Sequence, residues 1–180
     1  MIHLLAISGS LRDASSNSML LSTAIERCPQ GVSITSYNGI GSLPHFNPDQ
    51  LNAPGSAVLD LYEEIRKADG LLISCPEYAR GIPGSFKNML DWLVSLEGFP
   101  GKPVALYNAS PRASAAQAAL RLVLETMSAV IVEDASFTVN LLASSNSLDQ
   151  RVKEHALVEC VERSLEAMRA YIGSAGVRHG

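Results

Sequence analysis

Residues 2–28, IHLLAISGSLRDASSNSMLLSTAIERC, contain the pattern that decides the fold. The first seven residues are almost continuously apolar, which is typical of a strand covered on both faces. Residues 17–28 place apolar side chains at helical spacing. Between the two, residues 8–18 include five serines, an asparagine and one arginine. The stretch therefore predicts a buried strand, a loop rich in hydroxyl groups, and an amphipathic helix.

The same alternation continues along the chain. We predict strands at 2–8, 32–37, 70–75, 103–108 and 129–139, and helices at 17–28, 55–68, 84–96 and 115–128. A last helix has apolar residues at helical spacing, namely Leu148, Val152, Ala156, Val161, Leu165, Met168 and Ile172. Alternating strands and helices form right-handed crossovers and a parallel sheet. We therefore predict an α/β fold: a flavodoxin-like, doubly wound, five-stranded parallel sheet with helices on both faces, in one domain over 1–175 with a flexible tail at 176–180.

The composition excludes several classes of function. The chain has 180 residues, 47% of them apolar, and a formal net charge of −4. Nucleic-acid binding is disfavoured because it depends on dense lysine and arginine surfaces, and no run is long and apolar enough to span a membrane. Cys28, Cys75 and Cys160 form no CxxC pair. We expect no signal peptide, because MIHLLAI lacks a basic region and a small-residue cleavage site. We expect reduced thiols, a cytoplasmic location and no metal site.

In a doubly wound sheet, ligands bind beyond the carboxyl ends of the strands. The loop at 8–17 leads into a helix N-terminus, where backbone N–H groups and the helix dipole favour anions. Arg12 adds a charge that suits a phosphomonoester. The loop matches neither the Walker pattern nor GxGxxG. The alternative is a polar turn in which Ser15 or Ser16 caps the helix and Arg12 forms a surface ion pair.

A second loop, within SCPEYARGIPGSFKNMLDW (74–92), follows the third strand. Its prolines stiffen the backbone, and Gly81 and Gly84 would let it approach a flat ligand. Cys75 does not form a tyrosine-phosphatase loop, because Arg80 comes one residue too early for the Cys-x5-Arg spacing. We interpret Cys75 as a buried packing residue. The same helix carries Trp92, which we assign to the core or to a subunit interface.

At these two loops the chain resembles the NAD(P)H-dependent FMN reductase family, which includes quinone, chromate and azo-dye reductases. GSLRDASSN (9–17) is similar to the family pattern GSLRxxSxN, and PEYARGIPGSFKNMLDW (76–92) to PEYNxxIPGxLKNxxDW. GSLPHFNPD (41–49) and QAALRLVL (117–124) are also similar to segments of the family. Both long motifs follow predicted strands at the right separation, so the resemblance covers most of the chain.

The resemblance implies an FMN cofactor. The residues that it places on the FMN phosphate are Ser10, Arg12, Ser15 and Asn17, and those along the isoalloxazine ring are Pro76, Glu77, Tyr78 and Gly81. NADPH or NADH would pass hydride to flavin N5, and a small acceptor (a quinone, azo compound, free flavin or metal oxyanion) would then take it, with no catalytic side chain needed. The resemblance also implies a homodimer or homotetramer, with the loop at 37–56 and the Trp92 helix in contact with a neighbouring chain.

The sequence departs from the family at two places. Ala79 stands in place of the asparagine of PEYN, which by this resemblance would remove one side-chain hydrogen bond and weaken FMN binding by up to about tenfold. ASPRASAA (109–116) lacks the family's glycines, and its Arg112 either stands over the site or belongs to a loop that no longer borders the flavin. These departures support a rival interpretation: a non-enzymatic electron carrier, or a partner-binding module that has lost the flavin. His45, in the long loop, is a candidate neighbour of the acceptor.

Overall fold

The structure, a computed structural model, describes residues 1–12, 15–141 and 147–177. The strands are β1 (Ile2–Ser8), β2 (Val32–Tyr37), β3 (Gly70–Ser74), β4 (Pro103–Asn108), β5 (Val130–Ile131) and β6 (Phe137–Thr138). The helices are α1 (Ser16–Glu26), α2 (Ser56–Lys67), α3 (Gly84–Leu93), α4 (Ser114–Thr126) and α5 (Ser147–Val177). Within the described ranges, no helix combines the length and the apolar character needed to cross a membrane.

The strands form one parallel sheet in the order β2-β1-β3-β4-β5, and β6 also pairs with β4. In its register Ile2 lies opposite Val32, and Leu4 lies opposite Gly70. The order reverses between β1 and β3, because the chain runs outward to β2 and then returns past β1. This confirms the predicted doubly wound fold.

The two faces of the sheet are covered by different helices, as the apolar runs predict. Leu4 and Ala6 of β1 pack with α1 and α5, whereas Leu5 and Ile7 pack with α2, α3 and α4. All four are buried. Successive strand residues point to opposite faces, so a strand with helices on both sides must be apolar throughout.

The predicted continuous strand at 129–139 is wrong. The chain leaves the sheet after β5, makes a 3₁₀ turn at Glu133–Ala135, and returns as β6. At the break the Ser136 hydroxyl accepts a hydrogen bond from the Leu106 N–H (3.1 Å) and donates to the Val132 carbonyl (3.0 Å). A side chain thus replaces a backbone group of the ladder, which allows the fifth strand to be split.

The predicted apolar stripe of α5 is largely correct. Val161, Leu165 and Met168 are buried against β1, β3 and β4, but Ala156 is exposed and Leu157 takes the buried position. Leu148 and Val152 lie outside the described side chains. The helix extends to Val177, and the remainder of the expected tail, 178–180, lies outside the described residues.

The long loop between β2 and α2 is fastened to α3 of its own chain. Asn88 accepts a hydrogen bond from the Phe46 N–H (2.7 Å) and donates to the Pro44 carbonyl (2.9 Å). The Trp92 indole N–H donates to the same carbonyl (2.8 Å), and its ring meets Phe46 edge-on. Trp92 is fully buried, which agrees with the core alternative for this residue.

Candidate functional site

An open cleft of about 550 Å³ lies at the carboxyl edge of the sheet, where the order of strands reverses. It is lined by residues of three loops and of the element ends that they join: 10, 12 and 15–17 after β1, 75–78 after β3, and 108–110, 112 and 113 after β4. The first two are the loops that carry the sequence motifs. Every residue predicted to bind the cofactor lines this cleft except Gly81.

The first loop is organised by its own hydroxyl groups. The Ser10 hydroxyl accepts a hydrogen bond from the Arg12 N–H (3.2 Å). Ser15 is the N-cap of α1, since its hydroxyl accepts from the Ser18 N–H (3.0 Å). Ser15, rather than Ser16, therefore has the capping role, and both line the cleft. No ion pair of Arg12 is found within the described ranges, and its side chain is exposed beside the α1 N-terminus.

The first and second loops are packed tightly against each other. The buried Asn17 side chain accepts a hydrogen bond from the Ser74 hydroxyl (2.9 Å), so it joins the first turn of α1 to the end of β3. The Gly9 N–H donates to the Ser74 carbonyl (2.8 Å). A Cβ at Gly9 would lie 3.2 Å from both Cys75 Cα and Pro76 Cδ. Only glycine fits at this crossing without displacement.

The second loop ends in a tight turn. The Tyr78 N–H donates to the Gly81 carbonyl (3.1 Å), and the Gly81 N–H donates to the Tyr78 carbonyl (3.0 Å). Ala79 and Arg80, between them, have positive φ angles of 49° and 65°, as in a type I′ turn. Gly81 closes this turn and does not line the cleft. The Tyr78 side chain at the rim is half exposed.

Cys75 lies at the base of the cleft, where its side chain is 1% exposed. Burial raises the pKa of this thiol to about 12. The thiol therefore stays protonated at neutral pH and is a poor nucleophile. This agrees with its interpretation as a packing residue.

The third loop lacks glycine, yet it borders the cleft. Its turn is held by the Asn108 side chain, which accepts from the Ser110 N–H (3.2 Å), and by the Ser110 hydroxyl, which accepts from the Arg112 N–H (3.2 Å). Arg112 is one of the residues of this loop that line the cleft. No role in the cleft was predicted for Asn108 and Ser110 from the sequence; their signal is the Asn-x-Ser pattern directly after a buried strand.

The loops after β3 and β4 are also joined to each other. A Glu77 carboxylate oxygen accepts a hydrogen bond from the Ala116 N–H in the first turn of α4 (3.0 Å). His45 does not line the cleft.

The groups around the cleft differ from one end to the other. The β1 loop supplies serine hydroxyls, Arg12 and a helix N-terminus, which together suit a phosphate. The β3 loop supplies the Pro76 ring, the Tyr78 ring and a rigid backbone, which suit a flat aromatic group. The residues therefore fit a ligand such as FMN, with a planar ring system at one end and a phosphomonoester at the other.

Comparison with known proteins agrees with this fit. The family model described as NADPH-dependent FMN reductase matches residues 2–143. The chain is 30% identical over 160 residues to a quinone reductase of Escherichia coli (strain K12), covering 85% of this chain and 84% of the relative. It is 32% identical over 178 residues to an NAD(P)H-dependent FMN reductase of Pseudomonas aeruginosa, covering 95% of each.

Among solved structures, the fold is similar to that of FerB, a flavoenzyme NAD(P)H:(acceptor) oxidoreductase from Paracoccus denitrificans. The TM-score is 0.73 at 23% identity, covering 94% of this chain and 98% of that one. This likeness supports the fold. The family model spans most of the chain and includes all three loops of the cleft, and the chain therefore belongs to the NADPH-dependent FMN reductase family.

Proposed function

We propose that the cleft binds FMN and that the chain transfers hydride from NADPH or NADH, through this flavin, to a small electron acceptor. Membership in the family makes the chain an oxidoreductase. The observation that carries the proposal is the meeting of the two motif loops, 10–17 and 75–78, on one cleft. One loop has the chemistry of a phosphate site and the other that of a ring site.

The proposed phosphate ligands are the hydroxyls of Ser10 and Ser15, the Arg12 guanidinium and the first turn of α1 that Asn17 anchors. Pro76, Glu77 and Tyr78 would lie along the ring, and Gly81 would act through the turn that it closes. Support comes from the arrangement of these residues, apart from Gly81, around one cleft.

When bound, FMN supplies a hydride acceptor at N5. The chain's own part is to orient the ring and to leave one side of it open to reduced nicotinamide and then to the acceptor. No side chain needs to move a proton. A quinone is the acceptor class that the name of the Escherichia coli relative supports; azo compounds, free flavin and metal oxyanions are further candidates.

The first test is titration of flavin-free protein with FMN, followed by flavin fluorescence. We expect saturable binding that Arg12→Ala weakens by roughly ten- to a hundredfold, because hydrogen bonds to a charged group are worth about 1.5–3 kcal/mol. The matched control is Arg27→Ala, which removes an equal charge from an exposed ion pair with Glu162 and should bind FMN normally. Equal affinities for all three proteins would contradict the proposed phosphate site.

A second test separates the reductase from an electron carrier. We expect steady NADPH oxidation with a quinone and no added protein partner. Consumption only in the presence of another redox protein would favour the carrier, and no saturable FMN binding at all would favour the partner-binding module.

We also propose a homodimer or homotetramer in the cytoplasm. The exposed apolar side chain of Val94 at the end of α3 supports a contact with a second copy. Cys28, Cys75 and Cys160 are all free thiols, which supports a reducing compartment. Light scattering at monomer mass would contradict the oligomer.

A further inference from the structure

The N-terminus of α4 has no cap of its own. The residue at the N-cap position is Ala113, which has no side-chain acceptor, and the first turn contains no acidic residue. The N–H groups of a first helical turn have no partner within the helix. In α1 the equivalent need is met locally by Ser15. In α4 the third residue, Ala116, is fully buried, so its N–H cannot bond to bulk water and needs an acceptor from elsewhere in the protein.

Glu77, which is 39 residues away in the sequence, provides the acceptor that the first turn of α4 lacks. Its carboxylate oxygen lies 3.0 Å from the Ala116 nitrogen and accepts that N–H. Ala116 is the third residue of α4, the position whose N–H a capping side chain normally binds. A negative charge at this position also interacts favourably with the positive end of the helix dipole. Within the described ranges no lysine or arginine pairs with Glu77, so a helix N-terminus is the observed partner of this carboxylate.

The bond joins two walls of the cleft. Glu77 directly precedes the Tyr78–Gly81 turn on the β3 side, and α4 directly follows the loop 108–113 on the β4 side. That loop is held internally by Asn108 and Ser110. Each wall is therefore ordered locally, and the Glu77–Ala116 bond is a cross-link between them.

We propose that Glu77 is a positioning residue that fixes the separation of the two loops between which the ring is bound. It acts as a hydrogen-bond acceptor for α4 rather than as a group that reacts with the flavin. The contact itself does not depend on the proposed function, whereas its effect on FMN binding does.

The contact is tested on the flavin-free protein by NMR hydrogen exchange at the Ala116 amide. Glutamine keeps an acceptor oxygen at the same reach, so we expect E77Q to retain protection. Alanine lacks the acceptor and aspartate is one methylene shorter, so E77A and E77D should exchange about tenfold faster or more. E97A, which removes an exposed glutamate outside the cleft, should match the wild type. Equal exchange in wild type and E77A would overturn the contact.

The positioning role is tested by FMN affinity. We expect E77A and E77D to raise the Kd about tenfold and E77Q to stay within about threefold of the wild type. If E77Q protects Ala116 yet binds FMN as weakly as E77A, the charge matters and the positioning role is overturned. If the wild type protects Ala116 but binds no FMN, the proposed function fails while the contact stands.

Discussion

Gly9 lies where the two motif loops come closest. A methyl group there would come within 3.2 Å of Cys75 Cα and Pro76 Cδ, atoms that belong to the end of β3 and to a proline ring and cannot rotate away. The neighbouring backbone bond from Gly9 to Ser74 fixes the distance between the two loops. Because Gly9 has no side chain, the proposed phosphate loop can approach the ring loop this closely.

We predict that Gly9→Ala lowers the free energy of unfolding by about 1–3 kcal/mol, because a methyl group is forced into a packed crossing. It should also weaken FMN binding, since relief of the clash must separate the two loops. Urea unfolding and FMN titration measure the two effects. Gly173→Ala is the control, because a Cβ at Gly173 meets no atom within 4 Å and alanine favours the helix. Equal stability of Gly9→Ala and the wild type would contradict this prediction, because it would mean that the two loops move apart at no cost in free energy.

At the scale of an element, the turn at Tyr78–Gly81 holds two non-glycine residues at positive φ. Such angles cost L-residues about 1–2 kcal/mol each, and asparagine tolerates them better than alanine. The Ala79 departure therefore has a backbone consequence that is independent of any side-chain hydrogen bond. The loop that faces the proposed ring is strained.

We predict that Ala79→Asn stabilises the protein by about 0.5–1 kcal/mol and tightens FMN binding a few-fold, because the turn is then preorganised. Ser128, at the end of α4, has a φ of 61° but does not line the cleft. Ser128→Gly should therefore give a similar gain in stability and leave the Kd for FMN unchanged. Thermal unfolding and FMN titration of both variants test this. A loss of stability in Ala79→Asn would refute the strain.

The same elements show what the sequence could and could not predict. The apolar runs at 2–8 and 70–75 predict the sheet, because burial on both faces leaves a continuous local signal. The break in the fifth strand depends on Ser136 and the Leu106 N–H, which are 30 residues apart. The cap on α4 depends on Glu77 and Ala116, 39 residues apart. Contacts of this range leave no local pattern in the sequence.

At the scale of the whole molecule, the charge around the cleft is opposite in sign to the net charge of the chain. The net charge is −4, yet Arg12 and Arg112 both line the cleft, and Arg80 lies on the adjoining turn. In the part of the chain that the structure describes, none of the three has a carboxylate within 4.0 Å. Glu77 also lines the cleft, where its carboxylate accepts the Ala116 N–H, so the described lining carries two arginines against one glutamate. A local positive potential on an acidic protein would attract a phosphate-bearing ligand while the remaining surface repels it.

We predict that FMN binding depends on salt whereas riboflavin binding does not. Riboflavin has the same ring system but no phosphate, so it serves as the matched control. Exposed charges are screened over about 10 Å at 0.1 M salt and about 3 Å at 1 M, so the Kd for FMN should rise roughly three- to tenfold over that range. Fluorescence titrations at several sodium chloride concentrations measure both. If the two flavins respond in parallel, salt acts on the ring contacts or on the fold, and the arginines do not hold the phosphate.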